Sequence, residues 1–230
     1  MSRSSSPQLP LPLLGRTVFS WSNFESEANA ELVQALQSMD GSRAVSVWIV
    51  GPSGSGKTQA LLATQHAADQ QNSSVQYLDL ARLKDQHASW RQIEPAAINL
   101  LDNVDVVAGN DQAERALFGL IERIRVNGSA FVAAARHDLS QFTLADLASR
   151  LNAGLKFSLH PLTEHGRLNA ITKRFESRGL VVDDAVVQFI VTRFSRDTHD
   201  LFKALDDLDW AAFEQQRRVT IPFIRSIIDI

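Results

Sequence analysis

The segment from Gly51 to Thr58 carries the clearest chemistry in this 230-residue sequence. It reads GPSGSGKT and satisfies the pattern G-x-x-x-x-G-K-[ST] at every position. In this pattern the glycines let backbone N–H groups converge on phosphate oxygens, the lysine adds a positive charge, and the final hydroxyl can ligate Mg²⁺. We therefore predict a phosphate-binding loop for a nucleotide with Mg²⁺, made by Gly51, Pro52, Ser53, Gly54, Ser55, Gly56, Lys57 and Thr58.

A phosphate loop needs an acid at the end of a second strand to hold the water bound to the metal. Asp102 closes the apolar run AAINLLD and is predicted to do this, together with Thr58. Many hydrolytic proteins of this kind carry a further acid directly afterwards, which polarises the attacking water. Here that residue is Asn103, whose side chain cannot accept a proton. The residues therefore predict nucleotide binding with weak hydrolysis.

Short apolar runs that predict buried strands alternate along the chain with stretches that predict helices. The predicted strands are 45–50, 75–80, 97–101, 130–135 and 155–159, and the predicted helices are 27–39, 57–70, 112–126 and 144–151. Parallel strands joined by helical crossovers are the simplest arrangement of such a pattern. Residues 15–160 are therefore predicted to form an α/β nucleotide-binding domain with a parallel sheet.

After Pro161 the strand pattern ends and helical spacing of apolar residues continues to the end of the chain. Asp183 and Asp197 stand at predicted N-cap positions, and Gly179 stands at a predicted C-cap. The predicted helices are 163–177, 183–194, 198–213 and a short last helix after Thr220. Residues 161–230 are therefore predicted to form a small all-helical domain.

Composition excludes several classes of function. The net charge is −3, so no overall positive field draws this chain to nucleic acid or to an anionic membrane. The sequence has no cysteine, which excludes disulfides, thiolate catalysis and cysteine-ligated metals. The apolar run at 9–14 is too short and too rich in proline for a signal peptide, and no 18-residue apolar stretch follows. The expectation is a soluble cytoplasmic protein without a membrane segment.

Several segments together resemble the AAA+ ATPases of the DnaA replication-initiator family. They are the phosphate loop, LLDNVD at 100–105, LADLASRL at 144–151, the helical region and the ending VTIPFIRSIIDI. The resemblance covers essentially the whole chain and is greatest to the small DnaA homologues that inactivate the initiator. It implies a P-loop AAA+ parallel sheet followed by a helical lid domain, with ADP or ATP as ligand. DnaA carries a basic DNA-binding domain after its lid, whereas this chain stops at Ile230, so no direct sequence-specific DNA binding is expected.

The resemblance implies a role for Arg150. This residue matches the arginine finger of the family, a guanidinium that reaches the γ-phosphate held by a neighbouring subunit and stabilises the charge developed in phosphoryl transfer. We expect it to act in trans on ATP bound to DnaA. The plain alternative is a surface arginine that pairs with Asp146 or lies in solvent at the helix end.

The N-terminal tail, residues 1–14, is rich in serine and proline and is predicted to be flexible. Its segment QLPLPL resembles the peptide by which family members and other replication proteins dock on the sliding clamp, the β subunit of DNA polymerase III. Gln8, Leu9, Leu11 and Leu13 are the implied contacts, with Pro10 and Pro12 limiting the entropy lost on ordering. The alternative is an apolar tail folded onto its own domain.

Two positions depart from the family pattern. The lid of the family presents a sensor arginine to the nucleotide, and His199 stands at the matching position, with Arg196 one helical turn earlier. Imidazole is shorter than guanidinium and mostly neutral at pH 7, so the preference between ATP and ADP stays open. Likewise the strand that ends at Ala135 and Arg136 lacks the expected polar sensor residue at its tip.

The segment before the first helix has two interpretations of equal weight. Trp21, Asn23 and Phe24 precede the first helix, where the family forms part of its adenine pocket. They are equally suited to a hydrophobic staple that packs against that helix.

Two hypotheses follow for the function. The first is a negative regulator of replication initiation that binds adenine nucleotide, docks on the clamp, and promotes hydrolysis of the ATP on DnaA. The alternative is a stand-alone P-loop ATPase, or a protein like a helicase loader, with its own turnover. Asn103 favours the first hypothesis. The oligomeric state, including a homo-oligomer, stays open.

Overall fold

A computed structural model describes residues 19–25, 29–194 and 198–228 of the chain. Its strands are β1 (Ser46–Val50), β2 (Val75–Asp79), β3 (Ile98–Asp102), β4 (Ala130–Ala135) and β5 (Leu155–Ser158). Its α-helices are α1 (Ala30–Gln37), α2 (Lys57–Gln70), α3 (Leu80–Leu83), α4 (Asp111–Val126), α5 (Ala145–Asn152), α6 (Glu164–Glu176), α7 (Asp184–Arg193), α8 (Thr198–Glu214) and α9 (Ile221–Ile227). Four 3₁₀ segments join them within the described residues, at Trp21–Asn23, Lys84–Gln92, Val104–Val107 and Leu139–Gln141.

Within the described part of the chain the five strands pair in parallel, in the order β2-β3-β4-β1-β5. The predicted parallel sheet is thus confirmed. β1 lies inside it, with Val50 opposite Ala135 of β4 and opposite Ser158 of β5. Because the carboxyl ends of parallel strands meet at one edge, the residues after β1, β3 and β4 come together there.

Side chains alternate between the two faces of the sheet, and each face is covered by helices. Trp48, Leu101 and Phe131 pack into the cluster that contains α4 and α5. Val47, Ile49 and Val132 pack into the opposite cluster, which contains α1 and α2. β5 is an exposed edge strand, with Leu155 half exposed.

Some boundaries differ from the sequence prediction. β2 ends at Asp79, because that side chain caps α3 by accepting a hydrogen bond from Ala81 N. α3 and the 3₁₀ segment Lys84–Gln92 were not predicted, since this stretch has no clear apolar periodicity. β3 extends one residue further than expected, to Asp102. The predicted start of the first helix, residue 27, lies outside the described residues.

Helices α6 to α9, which we call the lid, surround a hydrophobic cluster of their own. Gly179 has φ +70°, and its neighbour Leu180 donates to Phe175 O at 2.9 Å, which ends α6 as predicted. Asp183 stands at the predicted N-cap of α7, although its side chain makes no capping hydrogen bond; Asp197 lies outside the described residues. The boundaries proposed at residues 14 and 160 stay predictions.

The lid is joined to the segment before α1 by charged contacts. Lys173 of α6 donates to Glu25 at 2.8 Å. Arg174 of α6, which is buried, lies 5.9 Å from the ring of Phe19 in that segment, and within the lid it donates to Asp206 of α8 at 2.6 Å. In the described ranges no helix has the length and apolar character needed to cross a membrane.

Candidate functional site

The phosphate loop lies between β1 and α2, where the sequence pattern placed it. Gly51 N donates to Ala135 O at 3.1 Å, which attaches the start of the loop to β4. A Cβ on Gly51 would lie 2.4 Å from Leu159 O, so a side chain does not fit there. Gly56 has φ +96° at the start of α2, a conformation that glycine adopts without strain. The loop backbone therefore requires glycine at these two positions.

Lys57 is folded back over this loop. Its Nζ donates to Gly51 O at 2.7 Å and to Pro52 O at 2.8 Å, and only 7% of the residue is exposed. Carbonyl oxygens are weaker acceptors than phosphate oxygens for a charged amine. The amine is thus held inside the loop and can exchange these carbonyls for an anion.

Thr58 and Asp102, the two predicted Mg²⁺ ligands, are in direct contact. Thr58 Oγ1 donates to Asp102 Oδ2 at 2.6 Å, and Tyr77 donates from its hydroxyl to the same oxygen at 2.8 Å. Asp102 Oδ1 accepts from Asn103 N at 2.9 Å, and the residue is fully buried. Burial, and next the charge of Asp102, raise the pKa of Tyr77 above its usual value, so this hydroxyl stays a donor.

The residues present fit a nucleotide with Mg²⁺. A hydroxyl and a carboxylate in contact are the oxygen donors that Mg²⁺ takes from proteins. Ser55 Oγ is buried in the loop and has no hydrogen-bond partner among the described residues, which leaves a polar group available to a ligand. The loop therefore has both the donor set and an unsatisfied polar group.

Asn103, directly after Asp102, does not face an attacking water as an acid would. Its Nδ2 donates to Asp79 Oδ1 at 2.9 Å, and its backbone has φ +56°, in the left-handed region. Asp79 also pairs with Arg82 at 3.2 Å. The amide thus links the ends of the neighbouring strands β2 and β3.

A cleft beside the loop lies between the N-terminal segment and the lid. It is lined by Phe24, Glu25, Ser55, Gly56, Gln59, Leu162 and Ala170. Phe24 packs edge to face on Trp21, with ring centroids 5.4 Å apart, and belongs to the core cluster that contains α1. Because Phe24 lines the cleft and also packs on the cluster of α1, both interpretations of this segment agree with its contacts.

The tip of β4 carries an ion pair instead of the polar sensor residue of the family. Arg136 Nε lies 2.9 Å from Asp105 Oδ2, and Arg136 N donates to Asp105 Oδ1 at 3.2 Å. The Asp105 side chain is 3% exposed, whereas that of Arg136 is 51% exposed. Asp105 is therefore paired with Arg136, which follows directly after Ala135, the residue whose carbonyl accepts from Gly51 N of the loop.

Arg150 lies in the last turn of α5 and pairs with Glu122 of α4. Its Nε donates to Glu122 Oε1 at 2.6 Å, and the same oxygen accepts from Arg125 Nη1 at 2.9 Å. This partner was not expected, since Asp146 was the predicted alternative. Burial acts to raise the pKa of Glu122, but the hydrogen bonds from Arg125 and Arg150, and then their charges, lower it below its usual value, so the carboxylate is ionised.

Glu114 is a residue that sequence reasoning missed. It lies fully buried in α4 and accepts hydrogen bonds from Gly109 N, Thr143 N, Thr143 Oγ1 and Leu144 N. These donors outweigh burial and lower its pKa. The buried carboxylate fixes the loop that leads into α5. Tyr77 was also missed. Its contact with Asp102 depends on the pairing of β2 with β3 and not on residues that are close in the sequence.

Some predicted site residues, or their side chains, lie outside the described part of the chain. Gln8, Leu9, Leu11 and Leu13 fall before residue 19, and Arg196 falls in the gap before α8. His199 belongs to the first turn of α8, but the placement of its side chain is not part of the described structure. Their assignments stay predictions.

Comparison with known proteins agrees with this fold. A family model described as the lid domain of Hda matches residues 164–228. An uncharacterized protein of Haemophilus influenzae is 32% identical over 230 residues, covering 97% of this chain and 99% of that protein. The fold is similar to domain III of the replication initiation protein DnaA from Thermotoga maritima, with TM-score 0.77, 20% identity, and 93% and 97% of the two chains covered. AMPPCP-bound DnaA from Aquifex aeolicus gives TM-score 0.63 at 16% identity, over 86% of this chain and 67% of that one.

Proposed function

From its membership of one family with the Haemophilus influenzae protein, and from its likeness to AAA+ proteins of the Hda and DnaA type, we propose a function for this chain. It is a nucleotide-bound negative regulator of replication initiation. It would bind ADP or ATP, dock on the sliding clamp, and promote hydrolysis of the ATP held by DnaA. Each of these steps is supported by a separate group of residues.

Nucleotide binding is supported by the phosphate loop. Lys57 and the buried Ser55 hydroxyl would contact phosphate oxygens. Thr58 and Asp102 would hold Mg²⁺, Asp102 through water. When bound, the metal would neutralise charge on the phosphates. DnaA from Aquifex aeolicus, a structure of similar fold, is AMPPCP-bound, which favours an adenine nucleotide here.

The observation that carries the proposal is that the chain has a complete phosphate loop, while the residue after Asp102 is Asn103, whose amide donates to Asp79. A stand-alone ATPase needs a base that can polarise water beside Asp102. Among the described residues the two other carboxylates at this edge are engaged, Asp79 by Asn103 and Asp105 by Arg136. Binding without vigorous turnover suits a regulator, and it disfavours the alternative of an ATPase or helicase loader with its own turnover.

Stimulation of a partner's ATPase is assigned to Arg150. Its guanidinium is held from one side by Glu122, and 38% of its side chain is exposed at the surface. Placed against ATP on DnaA, it would stabilise the charge that develops on the γ-phosphate. The protein would then act in trans, on the nucleotide of its partner.

Docking on the clamp is assigned to the tail residues Gln8, Leu9, Leu11 and Leu13. The net charge of −3 gives the chain no attraction to DNA of its own. A clamp loaded on DNA would supply that attachment and raise the effective concentration near DNA-bound DnaA.

The test measures hydrolysis of radiolabelled ATP prebound to DnaA, with this protein and with or without clamp loaded on DNA. We expect rapid conversion to ADP only when both are present. The protein alone, given free ATP, should show negligible turnover. Vigorous hydrolysis by the protein alone would instead support the stand-alone ATPase.

A further inference from the structure

We propose that Glu122 is a positioning residue for Arg150, which holds the guanidinium by its Nε and presents the two terminal nitrogens to the phosphate of a partner. This inference rests on the proposed function of Arg150. It adds to the proposed mechanism a residue on a different helix, Glu122 of α4. Without Glu122, the Arg150 guanidinium would not be held in the orientation that reaches the phosphate.

The hydrogen-bond pattern of Arg150 carries the argument. Nε donates to Glu122 Oε1 at 2.6 Å, and within the described residues the terminal nitrogens of Arg150 have no hydrogen-bond partner. A planar guanidinium with only Nε engaged keeps its forked end available for two phosphate oxygens.

Glu122 is itself fixed from the other side. Arg125, one turn later on α4, donates from Nη1 to the same Oε1 at 2.9 Å. With two cations on one oxygen the carboxylate has little freedom to rotate away. The three side chains form a row from Arg125 through Glu122 to Arg150, across the packed helices α4 and α5.

The helices that carry this row are themselves rigidly joined. Leu117, Ile121, Leu147 and Leu151 lie in one buried cluster between them. Glu114 fixes the loop at the start of α5 through bonds to Thr143 and Leu144. Rotation of the Arg150 side chain is therefore the main freedom left, and Glu122 restricts it.

The test compares Glu122→Ala, Glu122→Gln and Arg150→Ala in clamp-dependent hydrolysis of DnaA-bound ATP, with the full chain. We expect Glu122→Ala to lower the maximal stimulated rate roughly tenfold, because a small misplacement of a catalytic group is costly. The concentration of protein giving half-maximal stimulation should change little. Glu122→Gln keeps the acceptor oxygen and should restore the rate to within about threefold of the unsubstituted protein.

A matched control is Arg115→Ala, which removes an exposed ion pair with Asp111 on the same helix as Glu122. It should leave stimulation unchanged. The double variant Glu122→Ala with Arg150→Ala should be no slower than Arg150→Ala alone, since Glu122 acts only through Arg150.

Each outcome separates the inference from the proposed function. If Arg150→Ala abolishes stimulation while Glu122→Ala and Glu122→Gln equal the unsubstituted protein, Glu122 is an ordinary surface partner and the inference is overturned. If Arg150→Ala has no effect, the proposed function is overturned together with it. Should Glu122→Ala fail to fold, the Arg125→Ala variant decides: a loss of maximal rate supports the row, and an unchanged rate overturns it.

Discussion

Thr58 and Asp102 are joined by a hydrogen bond of 2.6 Å between the threonine hydroxyl and the carboxylate, which connects the first turn of α2 to the end of β3. Tyr77, on β2, donates to the same carboxylate oxygen. The candidate Mg²⁺ ligands are thus assembled before any cation arrives, and they are held by a neighbouring strand. Little reorganisation is needed on binding, which favours affinity.

Lys57→Met should weaken binding of ADP and ATP by about 10- to 100-fold, because hydrogen bonds to charged groups contribute about 1.5 to 3 kcal/mol. Titration with a fluorescent ADP analogue measures this. Lys84→Met, at an exposed position outside the loop, is the control and should bind normally. Equal affinities of the two variants would remove Lys57 from the site.

Asn103→Asp should destabilise the fold by about 1 to 3 kcal/mol, because it replaces the donor to Asp79 by a second carboxylate. Urea denaturation measures the change in the free energy of unfolding. Asn72→Asp is a close control, since Asn72 is exposed and has the same φ of +56°. We expect no gain of ATPase activity in Asn103→Asp, and rapid turnover would contradict the structural role given to this side chain.

Tyr77 is the only tyrosine in the sequence, so its ionisation can be followed by absorbance. Its pKa in the folded state lies above the ordinary value of about 10, chiefly because of burial and then because of Asp102. Above that ordinary value the unfolded chain releases the proton while the folded chain keeps it, so stability falls as pH rises. Tyr77→Phe should lose this part of the alkaline dependence, measured by urea denaturation at pH 8 and pH 11. Tyrosinate formation near pH 10 in the folded protein would disprove the assignment.

Arg150→Ala should abolish stimulation of DnaA-bound ATP hydrolysis, a loss of at least about 100-fold, given the size of arginine-finger effects. Arg150→Lys keeps the charge but loses the Nε contact with Glu122, and should recover little. Nucleotide affinity and clamp binding should be unchanged in both. Arg193→Ala, an exposed arginine of the lid, is the control and should stimulate normally.

Replacement of Gln8 and Leu11 together by alanine should weaken clamp binding by at least about tenfold, because a few anchor side chains carry most of the energy of such contacts. Co-elution with the clamp on gel filtration measures it, and nucleotide affinity should be retained. Ser4→Ala with Ser5→Ala changes the same tail outside the segment and should co-elute normally. Undiminished co-elution of the Gln8 and Leu11 variant would exclude this part of the tail from docking.

The position of the phosphate loop could be predicted because its pattern specifies a local backbone, and glycine is required at Gly51 and Gly56. The meeting of Thr58 with Asp102 followed from parallel pairing, which brings strand ends to one edge. The contact of Arg150 with Glu122 could not be predicted in this way. It depends on how α4 and α5 pack, whereas the sequence offered only the neighbouring Asp146.

The stretch from Leu80 to Gln92 shows a second reason for failure. Its buried side chains, Leu80 and Trp90, are ten positions apart, so no short apolar period marks a helix. Glu114 was missed because a charged residue in a helix is ordinarily exposed, and only the folded loop around Thr143 provides the donors that allow its burial.

The position of β1 within the sheet has a consequence for synthesis of the protein. Ser46 pairs opposite Phe131 and Val47 opposite Leu155, so both neighbours of β1 come from the second half of the chain. During synthesis the apolar segment VSVWIV therefore stays unpaired until β4 has emerged from the ribosome, whereas β2 and β3 can pair earlier. Such long-range pairing is slow and leaves apolar segments open to aggregation. Nascent chains that end before residue 130 are expected to need chaperone protection and to bind no nucleotide, because the loop is anchored only once Gly51 reaches Ala135.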